Sequence, residues 1–256
     1  MQYKPMAIAI VAAFAATLAN AELVRCTSKN GASVIRRDKC DSPDDVRTPV
    51  TAKSAVPKES PTAQPTAPGG ADDAMAAYRA QDFARARALF EERAAKGDAL
   101  AQIMLGDIYK NGRGVPKDEA KAFSWTRKAA EQGDARGQAG LAALMQAGRG
   151  TPRDDAGAVA WLEKSAQQGY ALGQAALGSA YLEGRGVPKD EMRGMQWMQK
   201  AAGGGIANVQ TLVGLAYYEG QPKGWPKDRE KAAFWLRKAA AQGDADAIQA
   251  LKTVGR

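Results

Sequence analysis

Residues 97–132 read GDALAQIMLGDIYKNGRGVPKDEAKAFSWTRKAAEQ, and this one stretch decides the fold. Its first half places Ala101, Leu105, Ile108 and Tyr109 at the 3.6-residue spacing of a buried helix face. Asn111-Gly112-Arg113-Gly114 then breaks the pattern with two glycines, which supply the positive-φ positions that end helices. Pro116 does not continue a helix, and Asp118 suits the N-cap of the next one, whose apolar stripe is Ala122, Trp125 and Ala129. The spacing predicts an antiparallel helix pair joined by a glycine loop.

The same stretch recurs. Residues 97–132, 133–168, 169–204 and 205–242 align so that Trp125, Trp161, Trp197 and Trp235 share one column. The loops Val115-Pro116-Lys117-Asp118, Thr151-Pro152-Arg153-Asp154, Val187-Pro188-Lys189-Asp190 and Trp225-Pro226-Lys227-Asp228 also fall in register. A fixed period in this range signifies stacked units, each burying its apolar face against its neighbours. The tryptophans are expected in the core, with Trp161 between helices of adjacent repeats. Gly106, Ala142, Gly178 and Gly214 occupy one column inside the first helices, and small residues there predict a close helix approach.

The pattern A-x-x-x-L-G-x-x-Y, then G-x-G-V-P-K-D, then A-x-x-W-x-x-K-A-A-x-Q-G resembles the Sel1-like repeat family, related to tetratricopeptide arrays, over Gly97 to Gln242. That resemblance implies an all-α fold, a right-handed α/α superhelical solenoid, and work as an adaptor in protein complexes. Repeat two departs from the pattern with Met145 in the Tyr column and Ala142 in the Gly column, and repeat four enlarges its loop to Gly220-Gln221-Pro222-Lys223-Gly224-Trp225. Residues 71–96, with Tyr78, Phe83, Leu89 and Phe90, resemble a shortened capping helix pair, and residues 243–256 supply a closing helix. Gly203-Gly204-Gly205 suggests a flexible joint before repeat four.

Ahead of the array, residues 1–21 combine Lys4, an uncharged run from Met6 to Leu18 and the ending Ala19-Asn20-Ala21. This is the anatomy of a cleaved secretory signal, too short in its apolar run for a membrane span. It predicts a periplasmic or secreted bacterial protein with no stable membrane insertion after cleavage. Residues 22–42 read as a β-hairpin, strands Leu23–Ser28 and Ala32–Arg37 around Asn30-Gly31, closed by a disulfide between Cys26 and Cys40. Leu23-Val24-Arg25-Cys26, Asn30-Gly31, Val34-Ile35 and Cys40 resemble a short exported module of unknown function common in proteobacterial proteins. Residues 43–70 carry prolines amid Ala, Thr, Ser and Lys and read as a disordered linker.

Composition narrows the chemistry. The chain of 256 residues has no histidine and two cysteines, so imidazole-based catalysis and four-thiolate metal sites are excluded. No cofactor or catalytic set is expected. Cysteine-rich exported relatives associated with β-lactam hydrolysis staple each repeat with a cysteine pair, and no repeat here contains cysteine. Asp118-Glu119, Asp154-Asp155 and Asp190-Glu191 follow Pro-Lys or Pro-Arg and read as helix caps rather than acid–base pairs.

Two surfaces remain for recognition by a monomer. The first helices carry Gln102, Gln138, Gln174 and Gln210 in one column, expected on a concave wall beside Ile103, Asp107, Ala139, Ala143, Ala175, Ser179, Thr211 and Leu215. That wall is the predicted site for a protein or peptide partner in the periplasm or envelope. The alternative is a basic loop edge of Arg113, Lys117, Arg149, Arg153, Arg185, Lys189, Lys223 and Lys227 binding an envelope glycan such as peptidoglycan. Its net charge is +8, without the interleaved aromatics that stack nucleic-acid bases, so no nucleic-acid partner is expected.

Overall fold

The structure is a computed structural model describing residues 23–27, 33–37, 46–49 and 71–254. The chain divides into two compact units, residues 1–65 and 66–256. In the first unit β1 (Leu23–Thr27) pairs antiparallel with β2 (Ser33–Arg37), Leu23 opposite Arg37 and Thr27 opposite Ser33. A third strand, β3 (Val46–Pro49), joins the other edge of β1, with Thr27 opposite Val46. Val46-Arg47-Thr48 has the β-branched content of a strand and lies inside the stretch read as a linker, whose residues 50–70 are outside the described residues. Two strands alone are marginal, and a third gives β1 partners on both sides. In register Cys26 stands opposite Val34 in one ladder and opposite Arg47 in the other. The expected disulfide partner Cys40, the signal segment 1–21 and residues 50–70 lie outside the described residues.

The second unit holds eleven helices among the described residues. Helices α1 (Ala71–Arg79) and α2 (Phe83–Ala95) precede the repeats. The first helices of the four repeats are α3 (Ala99–Asn111), α5 (Ala135–Ala147), α7 (Ala171–Glu183) and α9 (Ala207–Glu219). The second helices are α4 (Glu119–Glu131), α6 (Asp155–Gln167), α8 (Glu191–Gly203) and α10 (Arg229–Ala240). Helix α11 (Ala245–Val254) closes the unit and repeats the register of a first helix, Asp244 capping it as Asp98 caps α3. The fold is the expected α/α solenoid.

Local chemistry sets each boundary. Asp118, Asp154, Asp190 and Asp228 each accept a hydrogen bond from the amide three residues on, at 2.8–2.9 Å, so the loop aspartates are helix caps. Each first helix ends on a glycine in the left-handed region, Gly112, Gly148, Gly184 and Gly220. The second loop glycine is left-handed as well, and in repeats two and three it has a further reason. A Cβ on Gly150 would overlap the Glu119 carbonyl oxygen, and one on Gly186 the Asp155 carbonyl oxygen, so each lets a loop seat against the start of the preceding repeat's second helix.

The small-residue column brings the two helices of each repeat together. A Cβ on Gly178 would stand 2.9 Å from the Gly194 carbonyl, and one on Gly214 2.8 Å from Leu236 Cγ. In the buried stripe of the second helices Ala122 and Ala129 are buried as expected, and only the tryptophan position differs. Thr126, Leu162, Met198 and Leu236 are buried, while Trp125, Trp161, Trp197 and Trp235 are half-buried. The rings lie along the surface beneath a lysine one turn on, with Lys128, Lys164 and Lys200 at 4.0–4.1 Å from their ring centroids. Each tryptophan packs one side of its ring against the core, and in Trp125, Trp161 and Trp197 a lysine at i+3 covers the ring.

First helices of neighbouring repeats touch, α3 with α5, α5 with α7 and α9 with α11, whereas second helices meet mainly the helices before and after them. The first helices therefore form the tighter, inner side of the stack. Between α7 and α9 that direct contact thins, at the junction marked by Gly203-Gly204-Gly205.

Candidate interaction surfaces

The glutamine column is placed otherwise than the sequence suggested. Gln102, Gln138 and Gln210 are 3–4% exposed. Gln102 Nε2 donates to the Ala94 carbonyl at 3.2 Å, and Gln210 Nε2 to the Ala202 carbonyl at 3.0 Å, satisfying the exposed end of the preceding helix. Gln132, Gln168 and Gln242 then donate to Gln102, Gln138 and Gln210 at 2.7–2.9 Å, tying each first helix to the end of its own repeat's second helix. These glutamines are mortar between repeats, and their amides are consumed internally. Gln174 donates to Ala166 at 3.2 Å and is half-buried, and Gly204 stands where its counterparts meet a second glutamine.

Two further wall residues are also engaged. Thr211 is buried and its hydroxyl lies between the Ala207 carbonyl and Asp244. Asp107 accepts from Tyr78 and from Asn111 and is paired with Lys110 and Arg113, while Arg113 covers the Tyr78 and Phe83 rings. Burial and that acceptor push the Tyr78 phenol well above its ordinary range. Asp107 thus fastens α1 to the array. Ile103, Ala139, Ala175, Ser179 and Leu215 are half-buried and Ala143 is exposed, so the free part of the inner wall is small and mostly apolar.

The basic edge is largely compensated. Lys117 pairs with Glu119 at 2.7 Å, Arg153 with Asp155 at 2.7 Å, Lys189 with Glu191 at 2.6 Å, and Arg185 with Glu183. Arg149 reaches Glu119 of the preceding repeat at 4.0 Å. The hydrogen bond from Lys117 holds the Glu119 carboxyl below its usual range. Lys227 lies exposed on the enlarged fourth loop. Exposed pairs of this kind contribute little to stability, but each lowers the field available to an anionic ligand.

A surface not anticipated from the sequence is a cleft of about 190 Å³ on the outer side of repeats one and two, lined by Phe123, Arg127, Glu131, Leu141, Met145 and Trp161. Arg127 and Glu131 are joined at 2.6 Å at its rim. The signal that points to it was present as the Met145 departure, together with Gly157 where the other repeats have Lys121, Arg193 and Lys231.

The Sel1 repeat model matches residues 99–134, 135–170, 171–205 and 207–244, more than half of the chain. The chain belongs to the Sel1 repeat family. A Sel1 repeat protein from Oxalobacter formigenes is 36% identical with a TM-score of 0.62, over 66% of this chain and 49% of its own. The protective antigen c5321 of uropathogenic Escherichia coli, which displays the same repeat fold, is 33% identical with a TM-score of 0.57, over 64% of this chain and 35% of its own. This chain therefore spans half or less of the length of these relatives. No curated protein matches it. Sel1 repeat proteins generally mediate protein–protein interactions, and the family is typically non-enzymatic.

Proposed function

We propose that this Sel1 repeat protein is an exported adaptor that binds a protein or peptide segment on the inner wall of its solenoid, in the periplasm or outside the cell. Across α3, α5, α7 and α9 the polar columns are spent on internal hydrogen bonds, which leaves a wall of Ile103, Ala139, Ala143, Ala175, Ser179 and Leu215 whose side chains have no polar role inside the fold. Small apolar side chains on a rigid helical wall suit close packing of a partner backbone. The paired carboxylates along the basic edge weigh against the glycan alternative. Export rests on the sequence of residues 1–21.

Capture from envelope extract with the purified protein, followed by mass spectrometry, tests the binding. A protein is expected with the natural chain and not with Ser179→Arg, whose melting temperature should be unchanged. Glycan fragments that are lost on neutralising Arg149, Arg153 and Arg185 together would overturn the reading. N-terminal sequencing tests the export: a mature start at Glu22 is expected, and a chain retaining Met1 would contradict it.

A further inference from the structure

The outer cleft carries more than its size. In repeats one, three and four the position of Met145 is a tyrosine, and Tyr109, Tyr181 and Tyr217 are buried at 8%, 7% and 3% exposure. Each ring is covered by a cation from its own second helix, Lys121 at 5.2 Å, Arg193 at 5.2 Å and Lys231 at 5.4 Å from the centroid. The Tyr109 hydroxyl crosses to the preceding repeat and donates to Glu91 Oε1 at 3.3 Å, and Glu91 occupies the column of Arg127. The ring thus spans the gap between successive second helices in the repeat ahead.

Repeat two lacks both parts. Met145 lies against Gly157, where a Cβ would come within 2.7 Å of its methyl, so the thioether fills the place of the cation pair and leaves the far side of the gap open. What opens is a tyrosine-sized vacancy walled by Phe123, Leu141 and Trp161, with Met145 as its floor. The cleft is open to solvent on one side, and about 190 Å³ gives room for one phenol ring. Aromatic edges and a thioether are favourable neighbours for another ring. At the rim the Arg127–Glu131 pair offers a donor and an acceptor where the Tyr109 hydroxyl finds Glu91 one repeat earlier.

We propose that this cleft receives a tyrosine side chain from a partner polypeptide, completing in trans the ring that repeat two lacks. The residue does not come from this chain's own leading segment, because residues 22–70 contain no Phe, Tyr or Trp. The proposal concerns the outer face and stands apart from the inner-wall reading, so either one can fail alone.

The probe is p-cresol, the tyrosine side chain as a free molecule, titrated into the purified protein labelled at methionine methyls. Saturable shifts of the Met145 methyl are expected, with toluene binding several-fold more weakly for want of the hydroxyl. Met145→Tyr should fill the cleft and weaken p-cresol at least tenfold. Arg127→Gln, at an exposed position, should abolish the preference for p-cresol over toluene while the fold persists. No shift at Met145, or binding that survives Met145→Tyr in a folded protein, would overturn the proposal. Equal affinity for toluene would overturn the assignment to tyrosine. Sedimentation showing a dimer that Met145→Tyr and Phe234→Ser each dissolve would overturn the partner as well, since the exposed Phe234 of a second copy would then be the occupant.

Discussion

Repeat two and its three neighbours are built from the same helix pair, capping aspartate and glycine loop, yet only repeat two replaces the tyrosine–cation pair with Met145 and Gly157. The difference separates holding from binding. Where a column recurs, its side chains have partners inside the stack: aspartates on amides, glutamines on helix-end carbonyls, tyrosines under cations. Where the column fails, the partner is missing and a surface opens.

The largest effect is expected in the second helices, where neighbouring columns differ in burial. Leu162 is 1% exposed and Trp161 is half-buried. Leu162→Ala is expected to cost on the order of 3 to 4 kcal/mol in urea unfolding, with a cavity left behind. Trp161→Ala should cost roughly 1 to 2 kcal/mol, since much of the ring already meets water. A larger loss at Trp161 would return the indoles to the core.

The glutamine column comes next. Gln138→Ala removes the donor to the Ala130 carbonyl and the acceptor for Gln168, and should cost about 1 to 2 kcal/mol. Gln174→Ala, at the junction where Gly204 replaces the second glutamine, should cost less. Equal costs would show that the ladder between glutamines adds nothing. Restoring the common pattern with Met145→Tyr and Gly157→Lys together should raise stability by roughly 0.5 to 1 kcal/mol, the scale of an exposed cation–π pair. A decrease would mean that repeat two is packed around its methionine.

The smallest effect is a pH dependence. The hydrogen bond from Arg136, with those from the Gly137 and Arg136 amides, holds Asp134 below the usual carboxylate range, and the Lys121 and Lys231 amides do the same for Asp118 and Asp228. A depressed carboxylate stabilises the fold above its unfolded pKa, near 4, and that contribution is lost as pH falls through the lower folded value. Unfolding midpoints should therefore decline below about pH 4, less steeply in Asp134→Asn. Identical slopes would show that the cap's charge is immaterial.

Much of this was legible in the sequence because the repeat multiplies each weak signal by four. Glycine loops, aspartate caps and the close approach at Gly178 and Gly214 follow from backbone geometry, which a sequence states directly. The β3 strand was hidden because Val46-Arg47-Thr48 is short and flanked by prolines. The glutamines were misplaced because a polar side chain on a helix face looks exposed until a partner 30 residues away is found for it, as with Gln102 and Gln132. The tryptophans do pack against the core, but their half-exposure was missed because large apolar residues suggest full burial, and only the lysine at i+3 hints at the open face. The cleft needed both: Met145 was visible as a departure, but its consequence depends on Phe123 and Trp161 meeting across two helices.

If recognition belongs to the wall and cleft residues that have no polar partner inside the stack, amide hydrogen exchange on the protein bound to its captured partner reveals it. Protection is predicted along α5 and α7 of the inner wall, extending to α4 and α6 around the cleft if the same partner supplies the tyrosine. Protection confined to the loops at 112–118, 148–154, 184–190 and 220–228 would contradict that and move recognition to the basic edge.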